Sequence, residues 1–325
     1  MKEEVILEVK DLVTTFDTEE GRIRAVEGVS FKVKRGQTLG IVGESGCGKS
    51  VTALSIMRLL PKPFGRIERG QILFQGQDIL TLSAEEMHRI RGFGISMIFQ
   101  EPMTALNPVH KVGDQLREVF QLHFPEMNDD EMWNRSVEIL KKVGIPEPVQ
   151  RMSEYPHQIS GGMRQRVMIA MALAAKPDIL IADEPTTALD VTIQAQILDL
   201  MKDLQQETHM AIIFITHDLG VIAEMCDEVL VMYAGIAAEF AEVIELFKTP
   251  KHPYTMGLLS SIPRLDSKRK TQLSIIKGMV PSLYELPEGC RFINRCAYAM
   301  AVCEKKPPEL RAVGGDNHVA SCYLY

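Results

Sequence analysis

The sequence lacks a long apolar run. Nowhere in its 325 residues is there a stretch approaching the roughly 20 apolar residues that a membrane-spanning helix needs. The chain begins Met-Lys-Glu-Glu, so the apolar core of a secretory signal peptide is also missing. These absences predict a protein that is made and kept in the cytosol and that reaches a membrane only through a partner.

Basic charge is also scarce. The chain has 36 lysines and arginines against 43 acidic residues, which gives a net charge of −7. Proteins that bind nucleic acids usually carry an excess of basic residues. The charge balance therefore disfavours nucleic acid as a partner. Hydrophobic residues make up 46% of the chain, and this fraction predicts a large packed core.

A glycine-rich turn lies between a predicted strand, residues 39–42, and a predicted helix, residues 51–60. The turn reads Gly43-Glu44-Ser45-Gly46-Cys47-Gly48-Lys49-Ser50 and has every fixed position of a phosphate-binding loop. In such a loop, backbone N–H groups face phosphate oxygens and the helix N-terminus favours negative charge. We expect Lys49 to reach the β- and γ-phosphates of a nucleotide, and the Ser50 hydroxyl to bind Mg²⁺.

Two further apolar strands end in polar residues that suit the same chemistry. Residues 179–182 lead into Asp183 and Glu184, and residues 211–215 lead to His217. Such continuous apolar runs are typical of parallel strands in an α/β fold, whose carboxyl ends carry ligand sites. We expect Asp183 to hold Mg²⁺ and Glu184 to polarise the attacking water, while His217 contacts the γ-phosphate or that water. The alternatives are a solvated acidic turn and a histidine hydrogen-bonded within the core.

The remaining sequence patterns predict how the chain is divided into domains. Residues 112–123 and 130–143 have the spacing of amphipathic helices, and no convincing strand falls near them. We therefore predict a helical subdomain over about residues 101–165, inside a nucleotide-binding domain of residues 1–250. Prolines become frequent after that point, so residues 251–325 are predicted to form a small C-terminal extension.

These motifs together resemble those of the ATP-binding-cassette ATPases. The segment Ser160-Gly161-Gly162-Met163-Arg164-Gln165-Arg166 resembles their signature motif. Gln100 is placed like the glutamine of their Q-loop, the segment Thr187-Ala188-Leu189-Asp190 like their D-loop, and Phe16 like their adenine-stacking aromatic residue. A strand-edge phenylalanine is also a common core residue. The resemblance spans about residues 5–250.

The resemblance implies a fold and an assembly. The fold is a phosphate-loop α/β core with an antiparallel β subdomain and a helical subdomain, and Gln100 joins Ser50 and Asp183 around Mg²⁺. Two such cassettes pair head to tail, as identical or related subunits. Each ATP then lies between the phosphate loop of one subunit and the signature motif of the other. Ser160, Gly161, Gly162 and Asp190 would therefore serve the ATP of the partner.

Within that family, the chain resembles the ATPases of oligopeptide and dipeptide importers, a subgroup that includes nickel and some oligosaccharide importers. Residues 101–108, 252–259 and 289–296 carry this resemblance, although Arg291 and Ala297 stand where prolines are common. It implies an ATP-hydrolysing subunit at the cytoplasmic face of the membrane. Its partners would be two membrane permeases and, indirectly, an extracytoplasmic solute-binding protein.

Two questions stay open: the class of cassette ATPase, and the residues that contact a permease. A soluble cassette ATPase acting in DNA repair or translation is the alternative from another class, although residues 101–165 show no sustained heptads and the chain has one cassette. Apolar positions in the helical subdomain, such as Val119, Phe120 and Trp133, are candidates either for the permease groove or for subdomain core.

Cysteine is rare except near the end of the chain. Cys47 and Cys226 are isolated and are expected to be small buried fillers. The other four lie within the last 36 residues: Cys290, Cys296, Cys303 and Cys322. A reducing cytosol disfavours disulfides, so this group indicates a metal or iron–sulfur site. The family resemblance favours a [4Fe–4S] cluster with a structural role. Zn²⁺, with His318 as a possible substitute ligand, and free or disulfide-bonded thiols are the alternatives.

Overall fold

The computed structural model describes residues 4–101, 105–186, 189–262, 275–315 and 317–325. The strands in chain order are β1 (Val5–Thr18), β2 (Gly21–Lys34), β3 (Thr38–Val42), β4 (Gly65–Phe74), β5 (Gln77–Asp78), β6 (Ile95–Ile98), β7 (Ile179–Asp183), β8 (Ala211–Ile215), β9 (Glu228–Tyr233), β10 (Ile236–Glu242), β11 (Arg311–Gly314) and β12 (His318–Ala320).

The α-helices in chain order are α1 (Lys49–Ile56), α2 (Ala84–Ile90), α3 (Val112–His123), α4 (Asp129–Lys142), α5 (Pro148–Arg151), α6 (Gly161–Ala174), α7 (Val191–Thr208), α8 (Leu219–Met225), α9 (Val243–Lys248), α10 (Pro253–Ser260) and α11 (Ala301–Lys305). Within the described ranges, none of these helices is both long enough and apolar enough to cross a membrane.

The chain divides into two compact units. One contains residues 34–37 and 81–214, and the other contains residues 5–33, 38–80 and 215–325. The C-terminal segment, residues 251–325, belongs to the same compact unit as the N-terminal strands. The division of the chain into residues 1–250 and 251–325 remains a prediction.

In the unit that contains residues 5–33, strands β2, β1, β4 and β5 form a four-stranded sheet in that order. Strands β1 and β4 pair antiparallel, so the predicted antiparallel β sheet is present. Strands β11, β12, β10, β9 and β3 are neighbours in that order in a second sheet. Within it, β3 and β9 pair in parallel and are buried along their whole length, as their apolar sequences predict.

The described part of the C-terminal segment is joined to this second sheet by a buried acid. Strand β12 pairs antiparallel with β10, and Glu239 of β10 is fully buried. Its carboxylate accepts hydrogen bonds from the backbone N–H groups of Lys251 (2.7 Å) and His252 (2.8 Å), and it lies 2.7 Å from Nε2 of His318. A buried carboxylate needs such partners, so Glu239 holds both ends of the segment against the sheet.

In the other unit, strands β8, β7 and β6 are neighbours, and β6 and β7 pair in parallel with every residue buried. Helices α3, α4 and α6 pack together in this unit. The helical subdomain over about residues 101–165 stays a prediction. Phe120 is 2% exposed and packs with Met127 and Met132, so it belongs to the core of this region and not to a permease groove.

Candidate functional site

The phosphate loop has a backbone that only glycine can adopt at two positions. Gly43 has φ 152° and Gly48 has φ 99°, both in the region that disfavours residues with a side chain. A Cβ on Gly43 would collide with the carbonyl oxygen of Met232, and one on Gly48 with that of Ala25. The surrounding backbone therefore requires both glycines, which explains two fixed positions of the motif.

Lys49 lies inside this loop. Its Nζ donates hydrogen bonds to the carbonyl oxygens of Gly43 (2.8 Å) and Glu44 (3.1 Å), and the residue is 6% exposed. Helix α1 begins at Lys49, and its N-cap Gly48 provides no side-chain acceptor. The first N–H groups of the helix thus lack a side-chain cap, an arrangement suited to binding an anion.

The two isolated cysteines are buried, as predicted. Cys47 is fully buried within the loop, and burial raises the pKa of its thiol. Cys226 is 6% exposed, packs against Gly40 of β3, and has a thiol pKa that burial also raises. Burial thus favours the protonated form of both thiols, and they act as small packing groups.

Phe16 and His217 occupy positions consistent with their predicted placement. Phe16 is half-buried on β1 opposite Gly65 of β4, and its ring lies over that glycine. His217 is exposed between the end of β8 and the start of α8. It follows the carboxyl end of a fully buried strand, where ligand sites of α/β sheets occur. Their roles at a nucleotide remain predictions.

Gln100, Asp183 and Glu184 lie at the ends of the neighbouring strands β6 and β7. Asp183 is 3% exposed, whereas Glu184 is half-buried. The Nε2 of Gln100 donates to Oε2 of Glu184 at 3.3 Å, so the fold brings these two predicted residues together. Glu184 has φ 47°, an unusual value for a residue with a side chain. Such strained residues concentrate at functional sites.

The signature motif begins helix α6. Ser160 is exposed and caps this helix, because its Oγ accepts a hydrogen bond from the N–H of Met163 at 3.3 Å. Gly161 is exposed with no atom near its missing side chain. The buried Gln165 donates from Nε2 to the carbonyl oxygen of Pro185, which ties the helix to the turn after β7. The motif therefore presents its first residues at the surface.

Asp190 caps the next helix. Its Oδ1 accepts a hydrogen bond from the N–H of Ile193 at 3.0 Å at the start of α7, and the residue is exposed. Thr187 and Ala188, the first two residues of the predicted D-loop, lie outside the described residues, as do residues 102–104 of the segment that follows Gln100.

Two residues absent from the predicted site contact the phosphate loop. Tyr254 and Arg295 both bind Glu44, although they lie far along the chain in the C-terminal segment. Tyr254 belongs to one of the segments that resemble peptide importers, but nothing in its sequence context indicates this contact. Two residues of the C-terminal segment therefore contact the phosphate loop.

The four C-terminal cysteines line one cavity: Cys290, Cys296, Cys303 and Cys322. All six cysteines of the chain are free thiols, so no disulfide forms among them. Among the described residues that line the cavity, none is acidic, lysine or arginine. His318, the substitute ligand considered for Zn²⁺, is instead paired with Glu239 and is not among the described residues that line this cavity.

The thiols do not form a ready-made site for one ion. In the described part of the chain, no group of three or more histidine, cysteine or acidic side chains is arranged to hold a metal ion. Burial raises the pKa of Cys290 to about 11 and also raises the pKa values of Cys296 and Cys322. Any metal must therefore displace protons from these thiols. The predicted metal centre is not confirmed and remains a prediction.

Comparisons with protein families match two regions of the chain. Residues 26–187 match the model of the ABC transporter family, and residues 238–303 match that of the oligopeptide/dipeptide transporter C-terminal region. The second match ends at Cys303, so it includes Arg295 and three of the four C-terminal cysteines.

Curated relatives match almost the whole chain. The oligopeptide transport ATP-binding protein OppD of Bacillus subtilis is 52% identical over 98% of this chain and 89% of its own length. The dipeptide transport ATP-binding protein DppD of the same organism is 52% identical over 99% of this chain and 95% of its own. OppD of Salmonella typhimurium is 53% identical over 94% of this chain and 90% of its own.

Solved structures match the cassette. A dimeric ATP-binding cassette in a post-hydrolysis state with ADP and Pi has a TM-score of 0.67 and 28% identity, and covers 73% of this chain and 98% of its own. A Clostridium perfringens protein that is part of an ABC transporter complex has a TM-score of 0.62 and 29% identity, and covers 76% of this chain and 92% of its own.

Proposed function

From the premise that the chain belongs to the ABC transporter ATPases, in the oligopeptide/dipeptide group, we propose how its residues perform that group's reaction. The chain is the ATP-binding subunit of a peptide importer, and it hydrolyses ATP. The observation that carries the site proposal is the phosphate loop, in which Lys49 is held within a backbone that requires glycine.

The loop residues Gly43–Ser50 bind the phosphates of ATP through backbone N–H groups. Lys49 leaves the loop carbonyls to pair with the β- and γ-phosphates, which are stronger partners because they are charged. Ser50, Gln100 and Asp183 supply oxygen atoms for Mg²⁺, a cation that prefers such ligands. Phe16 stacks on the adenine.

Hydrolysis is assigned to Glu184 and His217. The carboxylate of Glu184 orients and polarises the attacking water, and the imidazole of His217 contacts the γ-phosphate as negative charge develops. The strained backbone of Glu184 and its hydrogen bond to Gln100 support this assignment, because both restrict where the carboxylate can lie.

The second part of the proposal is a head-to-tail pair of cassettes. Ser160, Gly161, Gly162 and Asp190 would act on the ATP of the partner subunit. The exposure of Ser160, Gly161 and Asp190 supports this role, because residues that complete a neighbour's site must be accessible in the single chain. A similar cassette has been solved as a dimer with ADP and Pi. The partner is either a second copy of this chain or a related ATPase.

The third part of the proposal is a location at the cytoplasmic face of the membrane, with two integral permeases as partners and a solute-binding protein contacted indirectly. Its test is purification of the tagged full-length chain from detergent-solubilised membranes of its own cells. We expect two integral membrane proteins to co-purify in equal amounts. Recovery of ribosomal proteins or DNA-repair proteins without permeases would contradict the importer assembly.

We also propose that the four C-terminal thiols hold a [4Fe–4S] cluster. Each thiolate of such a cluster binds a different iron, so the four sulfurs surround a space and do not converge on a single point. The four cysteines line one cavity that has no acidic residue among its described lining residues, and four thiolates are a donor set that such clusters accept. When bound, the cluster would cross-link the segment, which is a structural role.

Serine substitutions test the cluster. We expect anaerobically purified protein to be brown with a broad sulfur-to-iron absorption near ~400 nm. Serine at any one of the four cavity cysteines should remove most of this absorption, because a ligand is lost. Cys226→Ser is the matched control, since Cys226 is buried elsewhere, and it should keep the colour. Colourless protein that contains stoichiometric zinc would show that the thiols bind Zn²⁺ and not a cluster. Protein that contains neither iron nor zinc would contradict both metal assignments.

A further inference from the structure

We propose that Arg295 is a positioning residue for the phosphate loop, and that through it the C-terminal segment sets the affinity for ATP. The proposal rests on the ATP site proposed above. It arises from two contacts to Glu44, the second residue of the loop, which hold its carboxylate and its backbone separately.

The first contact is a bidentate ion pair between Arg295 and Glu44. The two terminal nitrogens of Arg295 lie 2.6 Å and 2.9 Å from the two carboxylate oxygens of Glu44. The Arg295 side chain is only 3% exposed, and that of Glu44 is 31% exposed. Such a planar, bidentate and largely buried pair fixes the direction of both side chains, unlike a surface pair.

Arg295 is itself held in place. Its Nε donates to the carbonyl oxygen of Lys277 at 3.1 Å, and a terminal nitrogen donates to that of Ile276 at 3.3 Å. The guanidinium also lies over the rings of Tyr233 and Phe292, 5.8 Å and 5.9 Å from their centres. The cation is therefore a fixed support for the loop, and it does not depend on Glu44 alone for its position.

The second contact holds the backbone of Glu44. Its N–H donates to the hydroxyl oxygen of Tyr254 at 2.8 Å. Tyr254 is fully buried, and its ring packs against those of Tyr233 (4.6 Å between centres) and Phe292 (5.5 Å). The Arg295 and Tyr254 contacts to Glu44 thus share one aromatic group, which consists of Tyr233, Tyr254 and Phe292.

These contacts reach Lys49 through one residue of the loop, Glu44. The carbonyl oxygen of Glu44 accepts a hydrogen bond from Lys49 Nζ, while the N–H of the same residue is held by Tyr254. The orientation of Glu44 therefore affects the starting position of the lysine that must reach the phosphates.

The support for the loop and the cysteine cavity share one short turn. The 3₁₀ turn Ile293–Arg295 lies between Cys290 and Cys296, both of which line the cavity, and Arg295 directly precedes Cys296. A change in the fold of this turn would therefore reach Glu44 through Arg295.

Calorimetric titration of full-length Arg295→Gln with Mg·ATP tests the proposal. We expect the Kd to rise about tenfold, because Glu44 loses its charged partner and the loop loses its fixed geometry. Glu44→Gln should raise the Kd by a similar factor. The double variant should bind about as weakly as either single variant, since both substitutions break the same interaction.

Lys306→Gln is the matched control. Lys306 is a cation of the same C-terminal segment. It forms an exposed ion pair with Glu309, which is not a residue of the phosphate loop. It should bind Mg·ATP like the unaltered protein. Thermal unfolding without nucleotide checks that each variant is folded, and Glu44→Gln keeps the test usable if Arg295→Gln does not fold.

Two results would overturn the proposal. One is an unchanged Kd in a folded Arg295→Gln or Glu44→Gln protein. The other is a double variant whose effect equals the product of the two single effects, which would make the residues independent. Lys49→Ala separates this failure from failure of the ATP site: if it loses ATP binding while Arg295→Gln does not, only the positioning role of Arg295 is wrong.

Discussion

Lys49→Ala is expected to abolish tight binding of Mg·ATP. The substitution removes the only side-chain cation of the loop, which is 6% exposed and already lies between two loop carbonyls. A charged hydrogen bond to phosphate in a partly desolvated loop is stronger than a neutral one, so we expect the Kd to rise at least about 100-fold. Calorimetric titration of the full-length chain measures this change.

Lys32→Ala is the control for that experiment. Lys32 is a surface cation that pairs with Glu8, and its side chain is 62% exposed. It should leave the Kd unchanged. Thermal unfolding of both variants shows whether the Lys49→Ala chain is folded, because that side chain also holds the loop carbonyls. Normal nucleotide affinity in a folded Lys49→Ala protein would contradict the assignment of the phosphate loop.

Glu184→Gln is expected to retain ATP binding and to lose hydrolysis. Glutamine has nearly the same shape and can remain close to Gln100, but its amide cannot polarise water as a carboxylate does. We expect the rate of phosphate release to fall about 100-fold or more, within the range that general bases contribute. With its ATP unhydrolysed, the variant should accumulate as a dimer in size-exclusion chromatography with Mg·ATP.

Adding Ser160→Arg to that variant tests the head-to-tail pairing. Ser160 is exposed at the start of α6, so arginine there should prevent the dimer while the single chain still binds ATP. For the Glu184→Gln variant alone, near-normal ATP turnover would mean that another residue acts as the general base. Loss of ATP binding by the single chain in Ser160→Arg would contradict the placement of this residue at the partner's nucleotide.

The local patterns of the sequence predicted much of the cassette. The apolar runs became the buried strands β3, β7 and β8, because a strand with both faces covered requires apolar residues throughout. Helix α3 covers the predicted residues, Val112–His123, and α4 starts one residue earlier than predicted. Both have apolar residues at helical spacing, so the pattern within each segment was sufficient.

Strands β10 and β12 could not be predicted in this way. Strand β10 reads Ile-Ala-Ala-Glu-Phe-Ala-Glu, which has no strand alternation and contains the fully buried Glu239. That acid is tolerated because Lys251, His252 and His318 supply hydrogen-bond partners from outside the strand. A pattern of apolar residues does not contain information about such distant partners.

The sequence by itself determined the phosphate loop, the acidic strand end and the signature motif, because each depends on residues that are adjacent along the chain. Only the tertiary structure decided what supports the loop and that the four C-terminal cysteines line one cavity. Arg295 and Glu44 are 251 residues apart, and no local spacing relates them. Their pairing depends on Tyr233, Tyr254 and Phe292 packing together, and only the folded chain brings those three rings into contact.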